Sequence, residues 1–578
     1  MELYDYLLPA PQEVRALEVE DLGIQTFGGM KIDHTLAKQE YILKIKSTKV
    51  DITAGSKTGE FYAKQTLNQL IKLYRDNDLN GSQKIPPLFI HDLPDIETRG
   101  YYYDVTRGKV PKLKTLKLLA DRLAHYKVNQ LQLYVEHTFA FEGFEEMWQD
   151  ASPLTAKEIT ELDNYCRKKH IELVPSLSTF GHLYHLLRTE KYKHLCELPN
   201  TENVPFNWPD RMLHHTIDVS NPESIEVIKN MLDQYIPLFK SDKFNICGDE
   251  TFDLGRGRNE ELAQKVGKGR LYVDFLKKII SHVQSHDKKV QFWGDILLEH
   301  PEYIDEIPKD ALVLNWDYAP EPDEERVRKI SESGLKQYLC PGVWGWNSFV
   351  NDIQMGYDNI SKMAKYSQKY KVEGFLNTDW GDFGNVNSLS TSIPGMIMGA
   401  AFSWNAVKIP DYQQTCKIIS RLEYGDLSGE LVEKMAEFCR YEGELYNVWV
   451  NLAHYDYQRI IGEKHMWHNG QLFEKSAEEM ANEAKRVSKN IDGFLTLMEN
   501  AKRINPDDVS EIEVAVRGYA LMWKLLAKNI EGETLNKKTP DRELQLEKQV
   551  WIKNFSRVWR VRNKKSELNR IIDLIKRL

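Results

Sequence analysis

The chain has 578 residues, of which 42% are hydrophobic and 28% are charged, and its formal net charge is -9. This composition is typical of a globular protein, and the acidic balance argues against a nucleic-acid partner. No apolar run approaches the roughly 18 residues of a membrane-spanning helix, so we do not expect a membrane protein. At roughly 150 residues per domain, the length predicts three or four folded units, or fewer if one is a barrel.

Six cysteines are scattered along the chain, and none forms a C-x-x-C pair. This spacing argues against a zinc site and against a disulfide framework, and it favours a reducing compartment. The amino-terminal segment MELYDYLLPAPQEV lacks the basic and apolar regions of a signal peptide. We therefore predict a cytoplasmic protein that uses neither a metal nor a cofactor.

Residues 1–95 are predicted to form a small α/β domain. Tyr41–Ile45 alternates as a strand, Val50–Ala54 resembles its neighbour, and residues 59–73 carry apolar side chains at helical spacing. Because no acids or aromatic residues cluster here, we interpret this domain as a packing platform.

Residues 96–410 alternate between short apolar strands and amphipathic helices. This alternation over roughly 300 residues predicts a (β/α)8 TIM barrel rather than a doubly wound sheet, because about eight strands close a barrel. The predicted strands are Gly100–Thr106, Gln130–Glu136, Glu172–Thr179, Phe244–Glu250, Val290–Ile296, Leu312–Tyr318, Gln337–Pro341 and Gly374–Trp380.

Residues 411–578 are predicted to form an α-helical C-terminal domain, because long charged and apolar segments follow one another with few breakers. The last segment is basic and amphipathic. Given the acidic total charge, we interpret it as a helix that docks on the barrel rather than on a membrane or nucleic acid.

Acids and tryptophans gather at the ends of the predicted strands. Carboxylates bind hydroxyl groups and transfer protons, while indoles stack on the apolar faces of sugars, so this mixture predicts a carbohydrate site. A single tryptophan is more often a core residue, but several at consecutive strand ends favour a site. The set is Asp104, Glu136, Asp249, Glu250, Asp295, Asp317, Asp379 and Asp382, with Trp293, Trp316, Trp344, Trp346 and Trp380.

Asp249 and Glu250 are the centre of this prediction. They follow an apolar run through one glycine, so they are expected at the carboxyl end of the fourth strand, where barrel enzymes place their chemistry. An acidic first turn of a helix is the alternative interpretation. His182 follows the third strand and is predicted to bond one of the acids. Arg99 is predicted to point a fork of donors into the mouth and grip vicinal hydroxyls.

Four motifs resemble those of glycoside hydrolase family 20, the retaining β-N-acetylhexosaminidases. They are DLPDIETRGYYYDVTR, STFGH, CGDE and TDWGD, they occur in the family's order, and the resemblance covers about residues 90–405. It implies an exo-acting enzyme with substrate-assisted catalysis. In this mechanism the 2-acetamido carbonyl of a terminal GlcNAc or GalNAc attacks C1 and forms an oxazolinium intermediate.

The resemblance also implies roles for individual residues. Glu250 would protonate the leaving oxygen and then activate water, while Asp249 would orient the acetamido group. Arg99 would bind ring hydroxyls, and Asp382 would bind those near O4 and O6. The remaining predicted substrate-binding residues are Glu136, His182, Trp293, Trp316, Trp344 and Trp380.

The chain departs from the family where a tyrosine after the seventh strand normally bonds the acetamido oxygen. The matching region, CPGVWGWNSF, has no tyrosine, and Tyr318 and Tyr338 are the alternatives. We interpret such departures as marks of a divergent, intracellular bacterial-type branch.

Two other functions stay open. One is a conventional retaining β-glycosidase with Glu136 or Asp317 as the nucleophile, and the other is a non-catalytic carbohydrate-binding barrel. The expected partner is an oligosaccharide or glycoconjugate with a terminal N-acetylhexosamine, and a homodimer is one expected assembly.

Overall fold

The computed structural model describes residues 2–18, 25–77, 84–212, 215–439, 445–454, 476–535 and 541–577. A five-stranded sheet comes first, a closed eight-stranded barrel follows, and helices form the rest. The predicted fold class is therefore confirmed. Among the described helices, none combines the length and the apolar character needed to cross a bilayer.

A mixed sheet covered by one helix forms the amino-terminal region. Its elements are β1 (Glu13–Ala16), β2 (Thr26–Ile32), β3 (Tyr41–Ile45), β4 (Lys49–Ala54), α1 (Lys57–Asn77) and β5 (Leu88–Asp92). The strand order is β1-β5-β3-β4-β2, with β3 and β4 antiparallel as neighbouring strands. Alternate residues of β3, namely Tyr41, Leu43 and Ile45, are fully buried, which explains the alternation of its sequence.

The barrel consists of eight parallel strands. They are β6 (Thr98–Asp104), β7 (Gln130–Val135), β8 (Glu172–Leu177), β9 (Lys243–Asn245), β10 (Lys289–Trp293), β11 (Leu312–Trp316), β12 (Lys336–Cys340) and β13 (Gly374–Asp379). The last strand, β13, pairs with β6 and closes the ring. All eight predicted strands are present, but each ends sooner than predicted. The largest difference is at β9, which ends at Asn245, so that Asp249 and Glu250 lie in the loop beyond it.

Helices surround the barrel with their apolar faces inward. In α2, for example, Leu116, Leu119 and Leu123 are buried at helical spacing. The helices are α2 (Leu113–His125), α3 (Glu145–Trp148), α4 (Ala156–Lys168), α5 (Trp208–Met212), α6 (Pro222–Tyr235), α7 (Glu260–Val266), α8 (Lys268–Gln284), α9 (Asp295–Glu299), α10 (Glu324–Ser333), α11 (Ile353–Lys369) and α12 (Leu389–Trp404).

The described part of the carboxyl-terminal region consists of helices joined by turns; its residues 440–444, 455–475, 536–540 and 578 lie outside the described part. The backbone of Lys112 donates to the carbonyl of Arg562 at 2.9 Å, and Arg562 Nε lies 3.2 Å from Glu511, so these helices join the barrel next to α2. The helices are α13 (Tyr412–Ile419), α14 (Leu431–Ala436), α15 (Leu445–His454), α16 (Ala477–Asn500), α17 (Pro506–Leu535), α18 (Arg542–Arg562) and α19 (Leu568–Arg577).

Candidate active site

The acid pair lies on a strained turn at the carboxyl end of the barrel. Beyond β9 the side chain of Asn245 accepts the N–H of Cys247 at 2.9 Å, and the chain then turns sharply. Cys247, Gly248 and Glu250 have φ of 57°, 86° and 47°, in the left-handed region. Non-glycine residues rarely adopt this conformation, and it clusters at functional sites. Asp249 is buried, and the side chain of Glu250 is 22% exposed.

His182, predicted to bond one of the acids, contacts both. Its Nε2 lies 3.2 Å from Asp249 Oδ2 and 3.4 Å from Glu250 Oε2. Burial opposes protonation, but the charge of Asp249 and the bonds to both carboxylates raise the pKa of His182 above its usual range. The preceding glycine makes this approach feasible, because a Cβ on Gly181 would lie 2.8 Å from the carbonyl oxygen of Asp249.

Arg107 is the arginine of the site, although the sequence reasoning did not select it. Its Nη1 donates to Asp382 Oδ1 at 2.7 Å, its Nε lies 3.4 Å from Glu136 Oε1, and its Nη2 lies 3.4 Å from His182 Nδ1. Asp104, the last residue of β6, accepts the N–H of Arg107 and also the N–H of Gly381. This carboxylate therefore joins the loop of Arg107 to the loop of Asp382.

The prediction for Arg99 was wrong. This side chain, 1% exposed, lies at the amino end of β6, and its guanidinium donates to the carbonyl oxygens of Ile96, Glu97 and Lys127 and to Gln39 Oε1. The strand runs from this end toward the mouth, so its first residues cannot reach the mouth.

Glu136 and Asp382 lie on opposite sides of Arg107. Glu136 also accepts from Tyr134 Oη at 3.1 Å and lies 3.5 Å from Arg211. Burial opposes ionisation, but His137, Arg211 and Arg107 lower the pKa of Glu136 well below its usual range. Its oxygens are thus occupied by protein donors, and it holds Arg107 rather than being free for a ligand.

Asp382 stands on a backbone with φ of 44° and accepts from Asn347 at 3.3 Å. Burial raises the pKa of Asp382 to about 6, against the effect of Arg107.

Four aromatic rings line the barrel beneath the acids. Trp380 contacts Tyr102, Tyr134 and Trp293, with ring centroids 4.9, 5.2 and 5.6 Å away. Trp293 is fully buried, and its Nε1 has no hydrogen-bond partner among the described residues. The four rings therefore pack against one another around Trp380.

Tyr318 joins a second aromatic group to the first. Its hydroxyl accepts from Trp380 Nε1 at 2.6 Å, and its ring stacks on Trp316 at 5.1 Å. Trp346 lies 5.1 Å from Tyr318 and 4.8 Å from Trp344, whose Nε1 also lacks a partner in the described part of the chain. All five tryptophans of the predicted set therefore belong to one continuous aromatic cluster.

Tyr338, the other alternative, lies at the opposite end of the barrel. A Cβ on Gly374, the first residue of β13, would lie 2.6 Å from the Tyr338 ring.

Within the described part of the chain, three groups of side chains have ligand atoms close enough to hold a metal, namely His182–Asp249–Glu250, His137–His185–Glu567 and Asp233–His282–His286. In the second group, Glu567 already pairs with Arg211 and Arg570. The predicted independence from metals and cofactors stays a prediction.

Two family models match this chain. A family model described as glycosyl hydrolase family 20, catalytic domain, matches residues 97–379. The model for domain 2 of the same family matches residues 7–93. Together they cover more than half of the chain.

Curated relatives are similar at low identity. A β-hexosaminidase of Emericella nidulans is 24% identical over 55% of this chain and 54% of its own length. Hexosaminidase D of Bos taurus is 22% identical over 54% of this chain and 92% of its own length. The chain thus spans about half the length of the first relative and most of the second.

Solved structures share the fold. A Flavobacterium johnsoniae chitobiase has a TM-score of 0.59 at 17% identity, covering 99% of this chain and 100% of that chain. A β-N-acetylhexosaminidase from Bacteroides fragilis has a TM-score of 0.58 at 15% identity, covering 72% and 94%.

Proposed function

The chain belongs to glycoside hydrolase family 20, and we propose that it is an exo-acting β-N-acetylhexosaminidase that retains the anomeric configuration by substrate-assisted catalysis. The observation that carries the proposal is the contact of one histidine, His182, with two adjacent acids beside the aromatic group of Tyr134, Trp293 and Trp380.

Glu250 is the proposed acid and base. It is the more exposed member of the pair, so its carboxyl group is accessible to a glycosidic oxygen. It would protonate the leaving oxygen and afterwards take a proton from water. His182 lies near its second oxygen and links it to Asp249.

Asp249 and Tyr318 are the proposed partners of the acetamido group. Asp249 Oδ1 is buried without a hydrogen-bond partner among the described residues, and it suits the acetamido N–H. Burial raises the pKa of Tyr318 well above its usual range, so its hydroxyl keeps a proton. That oxygen accepts from Trp380 and also bonds the side chain of Thr378, and in the proposed complex its proton is donated to the acetamido carbonyl. Both contacts would hold the carbonyl oxygen against C1.

Arg107 and Asp382 are the proposed hydroxyl clamp. They supply donors and an acceptor side by side, which matches two vicinal hydroxyls of a pyranose. Arg107 takes the role that the sequence assigned to Arg99.

The contacts of the alternative nucleophiles count against a conventional two-carboxylate glycosidase. Glu136 is held by Arg107, Tyr134 and Arg211. Asp317 accepts the backbone N–H groups of Ala319 and Asp323, so it caps a turn. A non-catalytic barrel has no such observation in its favour.

One assay tests the proposal. Aryl β-glycosides of GlcNAc, GalNAc and glucose are incubated with the enzyme, with and without a thiazoline mimic of the oxazolinium ion. We expect hydrolysis of the acetamido sugars alone, blocked by the mimic. Hydrolysis of the glucoside without inhibition would establish the conventional mechanism, and binding without turnover would establish a lectin-like role.

Cytoplasmic location and a homodimer remain predictions. Cell fractionation and sedimentation of the purified protein test them.

A further inference from the structure

A third carboxyl group, that of Asp295, lies against the acid pair. Asp295 begins α9, just beyond β10. Its Oδ2 accepts the backbone N–H of Glu250 at 2.9 Å. Its Oδ1 is buried and has no hydrogen-bond partner among the described residues. Asp295 thus contacts the pair through the backbone of Glu250.

The backbone of Glu250 depends on such a contact. Its φ of 47° is unfavourable for a residue with a Cβ, and β9 ends well before it, so the ladder of the barrel does not fix its peptide group. If this N–H lost its acceptor, the turn would relax toward negative φ. The carboxyl group of Glu250 would then swing away from its present position beside His182.

Asp295 can accept this bond without adding a third negative charge. Burial and the charges of Asp249 and Glu250 raise the pKa of Asp295 to about 8. These effects favour the protonated form, whose carbonyl oxygen still accepts a hydrogen bond. An asparagine amide has the same shape and the same acceptor.

We propose that Asp295 is a positioning residue for the proton donor, holding the left-handed turn that directs the carboxyl group of Glu250 at the glycosidic oxygen. The proposal rests on the proposed function, in which Glu250 is the acid and base. It predicts that Asp295 matters most when the leaving group needs a proton.

The test compares D295A and D295N with the wild type on two substrates. One is 2,4-dinitrophenyl N-acetyl-β-glucosaminide, whose leaving group needs almost no protonation, and the other is N,N′-diacetylchitobiose, whose leaving group is a sugar hydroxyl. We expect D295A to lower kcat/KM about 100-fold on the disaccharide but less than about fivefold on the aryl glycoside. D295N should restore both values to within about threefold of the wild type.

Asp426 provides a matched control. It is also buried, and its Oδ2 accepts the backbone N–H groups of Glu430 and Leu431 far from the acids. D426A should lower the melting temperature without changing the ratio of kcat/KM for the two substrates. If circular dichroism shows that D295A does not fold, D295S replaces it in the same comparison.

Equal losses on both substrates, or a D295N variant as impaired as D295A, would overturn the proposal while leaving the proposed function intact. Failure of the wild type to hydrolyse either substrate would overturn both.

Discussion

Arg99 and Arg107 stand at the two ends of β6, and both guanidinium groups are buried, yet their surroundings are opposite. Arg99 donates to neutral acceptors, namely three backbone carbonyls and the amide of Gln39. Arg107 faces carboxylates, those of Asp382 and Glu136. Burial accordingly lowers the pKa of Arg99, whereas the charges around Arg107 raise its pKa despite burial.

The difference shows how a structural cluster is distinguished from a site. At the amino end the donors of Arg99 are all directed at acceptors that the fold supplies, so the cluster joins the sheet to the barrel. At the carboxyl end several buried polar atoms lack a partner within the described residues, among them Asp249 Oδ1, Trp293 Nε1 and Trp344 Nε1. Such atoms also occur elsewhere in the described chain, for example Tyr446 Oη and Trp449 Nε1, but at the carboxyl end they lie among acids and stacked aromatic rings, where a sugar can bind.

Removing the proton donor should produce the largest difference in activity between substitutions at the two ends of the barrel. We expect E250Q to lower kcat/KM on N,N′-diacetylchitobiose about 1,000-fold, because the amide cannot protonate the leaving oxygen. The matched control is E172Q, which changes a carboxylate at the amino end of β8 that pairs with Lys243. Steady-state kinetics should show E172Q within about twofold of the wild type. Equal effects would remove the functional distinction between the two ends.

Exchanging the arginine at the mouth should have the next largest effect. R107K keeps the charge but loses the planar fork that spans Asp382, Glu136 and the sugar hydroxyls. We expect kcat/KM per folded molecule to fall about 100-fold, and the urea midpoint to fall as well, because Asp382 and Glu136 lose buried donors. A variant with nearly full activity would show that Arg107 only neutralises the surrounding acids.

The corresponding arginine-to-lysine substitution at the amino end, R99K, should affect stability and not activity. R99K leaves backbone carbonyls without donors in a buried cluster, which is expected to lower the free energy of unfolding by about 2 kcal/mol. Urea denaturation measures this change, and kcat/KM per folded molecule should stay within about twofold of the wild type. Loss of activity without loss of stability in R99K would reverse the comparison.

These two arginines also show what the sequence can and cannot predict. The eight strands could be identified because short apolar runs alternate with amphipathic helical segments, a pattern that few folds other than a barrel produce. The carboxyl ends of these strands then locate Asp249, Glu250 and Asp382. Arg99 was assigned to the mouth on the chemistry of its side chain. Arg99 precedes the predicted strand Gly100–Thr106, which argued for a position at the amino end of that strand. Five residues of a strand span about 17 Å, so a side chain at this end lies far from the mouth. Arg107, in the same motif, follows that strand.

Tyr318 was harder to predict. It follows β11, whereas the family pattern places its tyrosine after the next strand, β12. Only the packing of Trp316, Tyr318 and Trp380 shows that a side chain from the neighbouring strand reaches the same pocket. Likewise the contact of Asp295 with Glu250 depends on turn geometry beyond β9, which no periodicity encodes.

Removing the hydroxyl of Tyr318 should have a moderate effect. Y318F keeps the stack on Trp316 but loses the proposed bond to the acetamido carbonyl. We expect kcat to fall about tenfold, with Y338F, at the amino end, unchanged. If Y338F were the impaired variant, the assignment of Tyr318 would be wrong.

The smallest expected effect is a dependence of activity on pH that distinguishes Asp379, the last residue of β13, from Asp382 in the following loop. Burial raises the pKa of both Asp379 and Asp382 to about 6, but only Asp382 pairs with Arg107, whereas Asp379 accepts from Tyr101. As the pH falls through 6, Asp382 takes up a proton and its pairing with Arg107 weakens, so kcat/KM should be about half of its plateau at pH 6. A raised carboxyl pKa means that the folded chain binds this proton more readily than the unfolded chain, so acidification through this range stabilises the fold at this group. Destabilisation of the fold by protonation of Asp382 therefore does not explain the loss of activity at low pH.

D382N should have lower activity without the inflection near pH 6, and D379N should keep this inflection. An inflection that persists in D382N and disappears in D379N would transfer the role to the residue beside Tyr101.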